Sequence, residues 1–184
     1  MEHTVALIVG SLRRESFNRK VAGVLKQLCP TSLKFVDMAI GDLPLFNEDL
    51  EGNPPAAWVT FRNQILAADA VLFATPEYNR SVPGGLKNAI DVGSRPYGKS
   101  VWNGKPGAVI SVSIGPLGAF GANHHLRQSL MYLNVPCMPT PEVYIASASK
   151  LFDASGTLTD ERTRELLTKF GRAFGEWIDA NRRG

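Results

Sequence analysis

Apolar residues recur along this chain in two rhythms. Thr4 to Gly10 is an unbroken run of β-branched and aliphatic residues closed by glycine, the pattern of a strand buried on both faces. From Phe17 the spacing lengthens, and Val21, Val24, Leu25 and Leu28 fall at helical intervals until Pro30 ends the pattern. Leu33 to Met38 reads as a second strand, followed by an irregular acidic loop from Leu43 to Asn53. Pro54-Pro55 opens a second helix, whose inner face is expected to carry Trp58, Phe61, Ile65 and Leu66. Ala70 to Thr75 is a third strand, broken at once by Pro76, and Pro83 opens a short helix lined by Leu86, Ala89 and Ile90. Gly93 to Pro106, rich in glycine, proline and basic residues, reads as a surface loop. Gly107 to Ser113 gives a fourth strand, Leu126, Leu130 and Leu133 mark a helix, and Val143 to Ala146 fits a fifth strand. The last helix begins near Thr159. Asp160 and Glu161 in its first turn and Arg182-Arg183 at its end complement the macrodipole, while Leu167, Phe170, Phe174 and Trp177 face inward.

Parallel strands need long crossovers, so five strands alternating with five helices predict an α/β doubly wound sheet with helices on both faces. A length of 184 residues suits one such domain, spanning 1–184. No apolar run approaches the ~20 residues of a spanning helix, and no secretory signal pattern precedes the first strand, so a cytoplasmic protein is expected. Cys29 and Cys137 lie far apart without metal-ligand spacing and read as buried free thiols. The net charge is +3. Its basic residues are scattered, which excludes an extended nucleic-acid stripe. A mild positive field suits anionic small molecules, and it equally suits solubility alone.

Ligands of such sheets bind beyond the carboxyl ends of the strands, where strand order reverses; in the order 2-1-3-4-5 this point lies between strands one and three. The loop after strand one, Gly10-Ser11-Leu12-Arg13-Arg14-Glu15-Ser16-Phe17-Asn18, runs directly into a helix. Helix-start amides, the side chains of Ser11, Ser16 and Asn18, and the charge of Arg13 together suit a phosphate monoester. The competing reading is that Ser16 or Asn18 only caps the helix while both arginines are solvated. No dinucleotide fingerprint or Walker-type lysine loop is present, which favours a mononucleotide. Gly115, Gly118 and Gly121 in the loop after strand four read, in isolation, as a turn before a helix. His124-His125 are adjacent on a helix, point in different directions and lack carboxylate or cysteine companions, so no metal is assigned.

The segment after strand three, Pro76-Glu77-Tyr78-Asn79-Arg80-Ser81-Val82-Pro83-Gly84-Gly85-Leu86-Lys87-Asn88-Ala89-Ile90-Asp91, completes a second motif. With the Gly-Ser-Leu-Arg pattern of the first loop, it resembles the NADPH-dependent FMN reductase family, and within it the bacterial quinone and chromate reductase branch. The resemblance covers essentially the whole chain and implies a flavodoxin-like three-layer sandwich. It implies that Ser11, Arg13, Ser16, Phe17 and Asn18 hold the FMN phosphate end, that Pro76, Glu77, Tyr78 and Asn79 border the isoalloxazine, and that Ser113, Gly115 and Gly118 close its other side. Tyr78 can stack on the ring or pack into a neighbouring subunit. The chemistry expected from the resemblance is hydride transfer from NADPH or NADH to flavin N5, then onward to quinones, chromate or other oxyanions, or free flavin. No side chain is required as a base, and Glu77 is expected to order its loop. Arg80, Arg95 and Lys99 are candidates for guiding anionic acceptors. The resemblance also implies a homodimer or homotetramer. A flavodoxin-type electron carrier and an azoreductase are the alternatives; the basic charge and the arginine-bearing first loop argue against the carrier.

Overall fold

The computed structural model describes residues 1–182. Its elements, in chain order, are β1 (His3–Val9), α1 (Phe17–Leu28), β2 (Leu33–Met38), α2 (Ala56–Ala67), β3 (Ala70–Thr75), α3 (Gly84–Gly93), β4 (Gly107–Val112), α4 (Phe120–Tyr132), β5 (Val143–Ile145) and α5 (Glu161–Asn181). Short 3-10 turns at Glu48–Leu50 and Ala148–Lys150 complete it. All strand pairs are parallel, in the order β2-β1-β3-β4-β5.

The continuous apolar runs follow from burial on both faces. Successive side chains of a strand point to opposite sides. In β1, Val5 and Leu7 enter one core with α1 and α5, while Ala6 and Ile8 enter a second with α2, α3 and α4. β3 divides likewise, sending Leu72 and Ala74 to the first core and Val71 and Phe73 to the second. Both β3 and β4 are buried throughout, so a polar residue on either face of their apolar positions would need a partner of its own. The edge strands differ: β2 exposes Val36, and β5 has only three residues.

Three expectations need correction. Leu66 is 59% exposed, because it lies one residue past Ile65, about 100° around a helix whose inner stripe is Trp58, Phe61 and Ile65. The segment from 94 to 106 is not simply a surface loop, since Val101 and Trp102 are buried. Trp102 packs against Phe61 and Phe73 and donates its indole N–H to the Ile90 carbonyl at 2.9 Å. Gly93 leaves room for that ring, as a Cβ there would sit 2.5 Å from it. At the end of the chain, Asp160 is the N-cap of α5, accepting from the Thr163 amide at 2.7 Å. Arg182 extends past the helix end to pair with Asp69 at 3.0 Å, and Arg183 lies outside the described residues. Trp177 is only half buried, its indole N–H donating to the Pro136 carbonyl.

Both cysteines are free thiols. Cys29 is buried against Gly171 of α5, where any Cβ would meet its sulfur at 2.7 Å, and burial pushes its thiol up to about 12. Cys137 is half buried; burial raises it too, and Arg127 opposes the shift.

The end of the sheet away from the strand carboxyl termini is held by polar ties. His3 Nε2 meets Asp179 at 2.7 Å, the Thr4 amide donates to Asp69 at 2.8 Å, and the Lys105 ammonium donates to the Ala68 carbonyl.

Candidate functional site

β1 and β3 are neighbours in register, Val9 opposite Ala74, and the Gly10 amide donates to the Ala74 carbonyl at 2.8 Å. The chain therefore leaves both strands at the same edge, where strand order reverses. A cleft of about 150 Å³ opens there. Of the residues expected from sequence, Ser11, Arg13, Ser16, Phe17, Asn18, Pro76, Glu77, Tyr78 and Ser113 line it, as do Ile114, in the loop expected to close the site, and Val112, which the sequence did not single out. These two flank Ser113: Val112 is the last residue of β4, and Ile114 lies in the loop that follows it. Asn79, Gly115 and Gly118 stand back from the cleft.

The first loop carries donors with nothing to receive them. Among the described residues, the amides of Ser11 to Ser16 make no hydrogen bond within the protein, although Ser11 and Ser16 are buried. Buried amides are almost always paired, so this stretch is shaped for an acceptor from outside. Ser16 is indeed the N-cap of α1, its hydroxyl oxygen accepting from the Arg19 amide at 3.3 Å, which leaves the hydroxyl proton free to donate. Asn18 spans to the other side: its Nδ2 donates to the Val112 carbonyl at 3.2 Å, while its buried Oδ1 has no partner. Arg13 is exposed at the cleft mouth.

The second loop is a two-residue hairpin. Tyr78 and Ser81 exchange both backbone hydrogen bonds at 3.0 Å, and Asn79 and Arg80 between them have φ of 52° and 63°, as a type I′ turn requires. Asn79 thus serves the turn geometry at the tip. Glu77 extends its carboxylate toward α4, accepting from the Ala122 amide at 3.0 Å and from the Arg80 side chain at 3.3 Å. Ser81 meets His125 Nδ1 at 2.8 Å. His124 takes another direction, to the Tyr144 hydroxyl at 2.8 Å, and burial together with Glu142 raises that phenol to about 12.

The third loop is fixed from beneath by a chain of polar side chains that sequence reading missed. Buried Ser111 donates to the Gly118 carbonyl at 2.7 Å, Asn123 donates to Ser111 at 3.1 Å, and Arg127 donates to Asn123 at 2.9 Å and to the Met138 carbonyl at 2.8 Å. Gly118 has φ of +58°, and a Cβ would lie 2.7 Å from the Tyr144 carbonyl carbon. Its role is packing against β5. The loops and the start of α4 leave Leu12, Tyr78, Ile114, Leu117 and Phe120 about half exposed or more, and of these Tyr78 and Ile114 line the cleft.

Of the basic residues considered as guides, only Arg80 belongs to a site loop. Arg95 is held between Glu48 and Glu51 at 3.6 Å, over the Phe46 ring, and lines a separate groove of about 820 Å³ between α3, the 94–103 segment and α4. That groove is the larger; Lys87, Ile90 and Asp91 of α3 line it, but none of the residues 10–18, 76–83 or 113–119 does.

A parallel sheet of this order, with unpaired amides and hydroxyls at its switch point, defines a flavodoxin-like protein. The chain belongs to the NADPH-dependent FMN reductase family, whose pattern matches residues 3–150. It is 60% identical over 181 residues to a quinone reductase of Pseudomonas putida, covering 98% of this chain and 97% of the relative. A 2-hydroxy-1,4-benzoquinone reductase from a Burkholderia species is 45% identical over 174 residues, covering 95% of each. Among solved structures, the flavoenzyme NAD(P)H:(acceptor) oxidoreductase FerB of Paracoccus denitrificans superposes with a TM-score of 0.92 at 44% identity, over 98% of this chain and all of that one.

Proposed function

We propose that this protein is an FMN-dependent oxidoreductase that carries electrons from NADPH or NADH to quinones. The observation that carries the reading is the row of unpaired amides from Ser11 to Ser16, with Arg13 at its mouth, placed at the switch point of the sheet. A phosphate monoester supplies the acceptors these groups lack. The unpaired Asn18 Oδ1 suits a donor hydroxyl such as those of the ribityl chain. Beyond it, Glu77 and Ile114 keep backbone polar groups without a protein partner among the described residues, beside the exposed side chains of Tyr78 and Ile114, the environment a flat, partly polar ring needs.

Bound FMN supplies the redox chemistry, accepting hydride from the nicotinamide and passing electrons to the acceptor. The protein's part is to hold and orient. The first loop anchors the phosphate, the rigid hairpin and the packed third loop set the width of the ring site, and the exposed side chains of Tyr78 and Ile114 at the cleft give nicotinamide and quinone an apolar surface. No side chain is assigned as acid or base.

Chromate and other oxyanions are further proposed acceptors, supported by the net positive charge. We place the protein in the cytoplasm; no helix among the described residues is long and apolar enough to cross a membrane. Tyr97, Met131 and Tyr132, each at least 75% exposed, support assembly into dimers or tetramers through the α4 side.

The test is the visible spectrum of the purified protein with added FMN, before and after anaerobic NADPH or NADH, and again after a quinone. Bleaching by a nicotinamide and recovery with the quinone is expected. Bound flavin indifferent to both nicotinamides would identify an electron carrier instead, and no flavin binding would refute the reading.

A further inference from the structure

Helix α4 begins without a cap of its own. Its N-cap, Ala119, offers no side-chain acceptor, sits at φ 61°, and is followed by no acidic residue in the first turn. The first amides of a helix need acceptors from somewhere. Here the acceptor comes from 45 residues upstream, where Glu77 Oε2 takes the Ala122 amide proton at 3.0 Å.

Glu77 is an unexpected residue to find enclosed. Its side chain is only 13% exposed, and a carboxylate taken from water must be repaid by charge-assisted hydrogen bonds and opposite charge. The α4 N-terminus supplies the first, and the Arg80 guanidinium, 3.3 Å from Oε1, supplies the second. The space is made by Gly121, where a Cβ would stand 2.9 Å from Glu77 Oε2 and 3.1 Å from the Arg80 carbonyl oxygen. One residue along from the hairpin tip, Ser81 is tied to His125 at 2.8 Å. The hairpin is therefore fastened along the first turns of α4 at two points, Ala122 and His125.

We propose that Glu77 is a positioning residue that caps α4 in trans, fastening the second loop to the end of the third and so fixing the width of the ring site. This rests on the FMN reading of the cleft. Glu77 lines the cleft, and both of its carboxylate oxygens are already engaged, by the Ala122 amide and the Arg80 guanidinium, so its effect on the ring is the geometry it imposes. What matters is an acceptor oxygen at that place. Gln keeps one; Ala does not.

Two variants and the unaltered protein test this. In flavin-free wild type, the Ala122 amide should exchange with deuterium more slowly than the Gly121 amide, which has no acceptor. Glu77→Ala should raise the Kd for FMN by about tenfold, the effect of one lost charged hydrogen bond. Glu77→Gln should restore affinity to within about threefold of wild type, as a neutral acceptor retains part of that bond. In the reduced-to-oxidised titration of the holoprotein, Glu77→Gln should move the flavin potential upward, since it removes one negative charge beside the ring loop while keeping the fastening. A wild-type Ala122 amide that exchanges as fast as Gly121, or Glu77→Ala with unchanged FMN affinity, overturns the clamp. Glu77→Gln as weak as Glu77→Ala overturns the claim that the acceptor is what counts. Absence of FMN uptake by wild type refutes the flavin reading instead, and the exchange comparison then judges the capping contact alone.

Discussion

Arg13 stands at the mouth of the cleft and makes no hydrogen bond or ion pair with another residue among the described ones. Its charge is thus available to a ligand at no cost to the fold. Arg13→Ala should weaken FMN by roughly tenfold, about 1.5 kcal/mol for one charged hydrogen bond, with thermal stability of the apoprotein unchanged. Fluorescence titration with FMN checks it, and an unaltered Kd would remove Arg13 from the phosphate site. At this scale the sequence was informative where a residue's job is local. Ser16 ahead of a helix and the arginine-bearing turn after Ser11 are legible because capping and amide exposure depend on near neighbours. The orientation of Glu77 toward Ala122, and the Ser111, Asn123 and Arg127 chain, depend on partners brought near only by the sheet, so no spacing in the sequence announces them.

Elements were read well wherever one periodicity held over several turns or a whole strand. The positions of β1 to β5 and α1 to α5 follow the apolar pattern closely because each element is buried against the same two cores. The pattern failed between Gly93 and Pro106, where glycine, proline and lysine outvoted one tryptophan. Trp102 is fully buried with its indole N–H satisfied, so Trp102→Ala should cost about 3 to 5 kcal/mol, the range for emptying a large core site. Urea denaturation measures it; a loss below about 1 kcal/mol would mean the segment packs loosely. Helix α5 carries a prediction in pH. Hydrogen bonds from Thr163 hold the Asp160 carboxyl below its ordinary value. The capping contribution is therefore present above the unfolded carboxylate range and is lost as pH falls through the lowered folded value. Asn caps comparably but does not titrate, so Asp160→Asn should leave the urea midpoint nearly unchanged at neutral pH and reduce its fall in strong acid. Equal acid sensitivity of the two proteins would show that other carboxylates govern it.

At the scale of the whole molecule, the unpaired amides of the first loop lie at the carboxyl edge of the sheet, and a separate set of polar ties holds the opposite edge. A ligand that fills the first set binds only the folded protein, so FMN at about one hundred times its Kd should add about 2.7 kcal/mol, raising Tm by roughly 5 to 11 °C for a chain of this size. A thermal scan with and without FMN tests this, and no shift would mean that the cleft does not bind it in the folded state.

The ties at the far edge, His3 with Asp179, Asp69 with Thr4 and Arg182, and Lys105 with Ala68, lie a full strand away from the cleft, roughly 20 Å at the rise of a β-strand. Sites that distant, sharing no partners, combine their effects nearly additively. That edge is accordingly where the protein can be hardened for use as a catalyst: changes there can be accumulated for heat resistance without the usual sacrifice of turnover that follows when a working surface is stiffened.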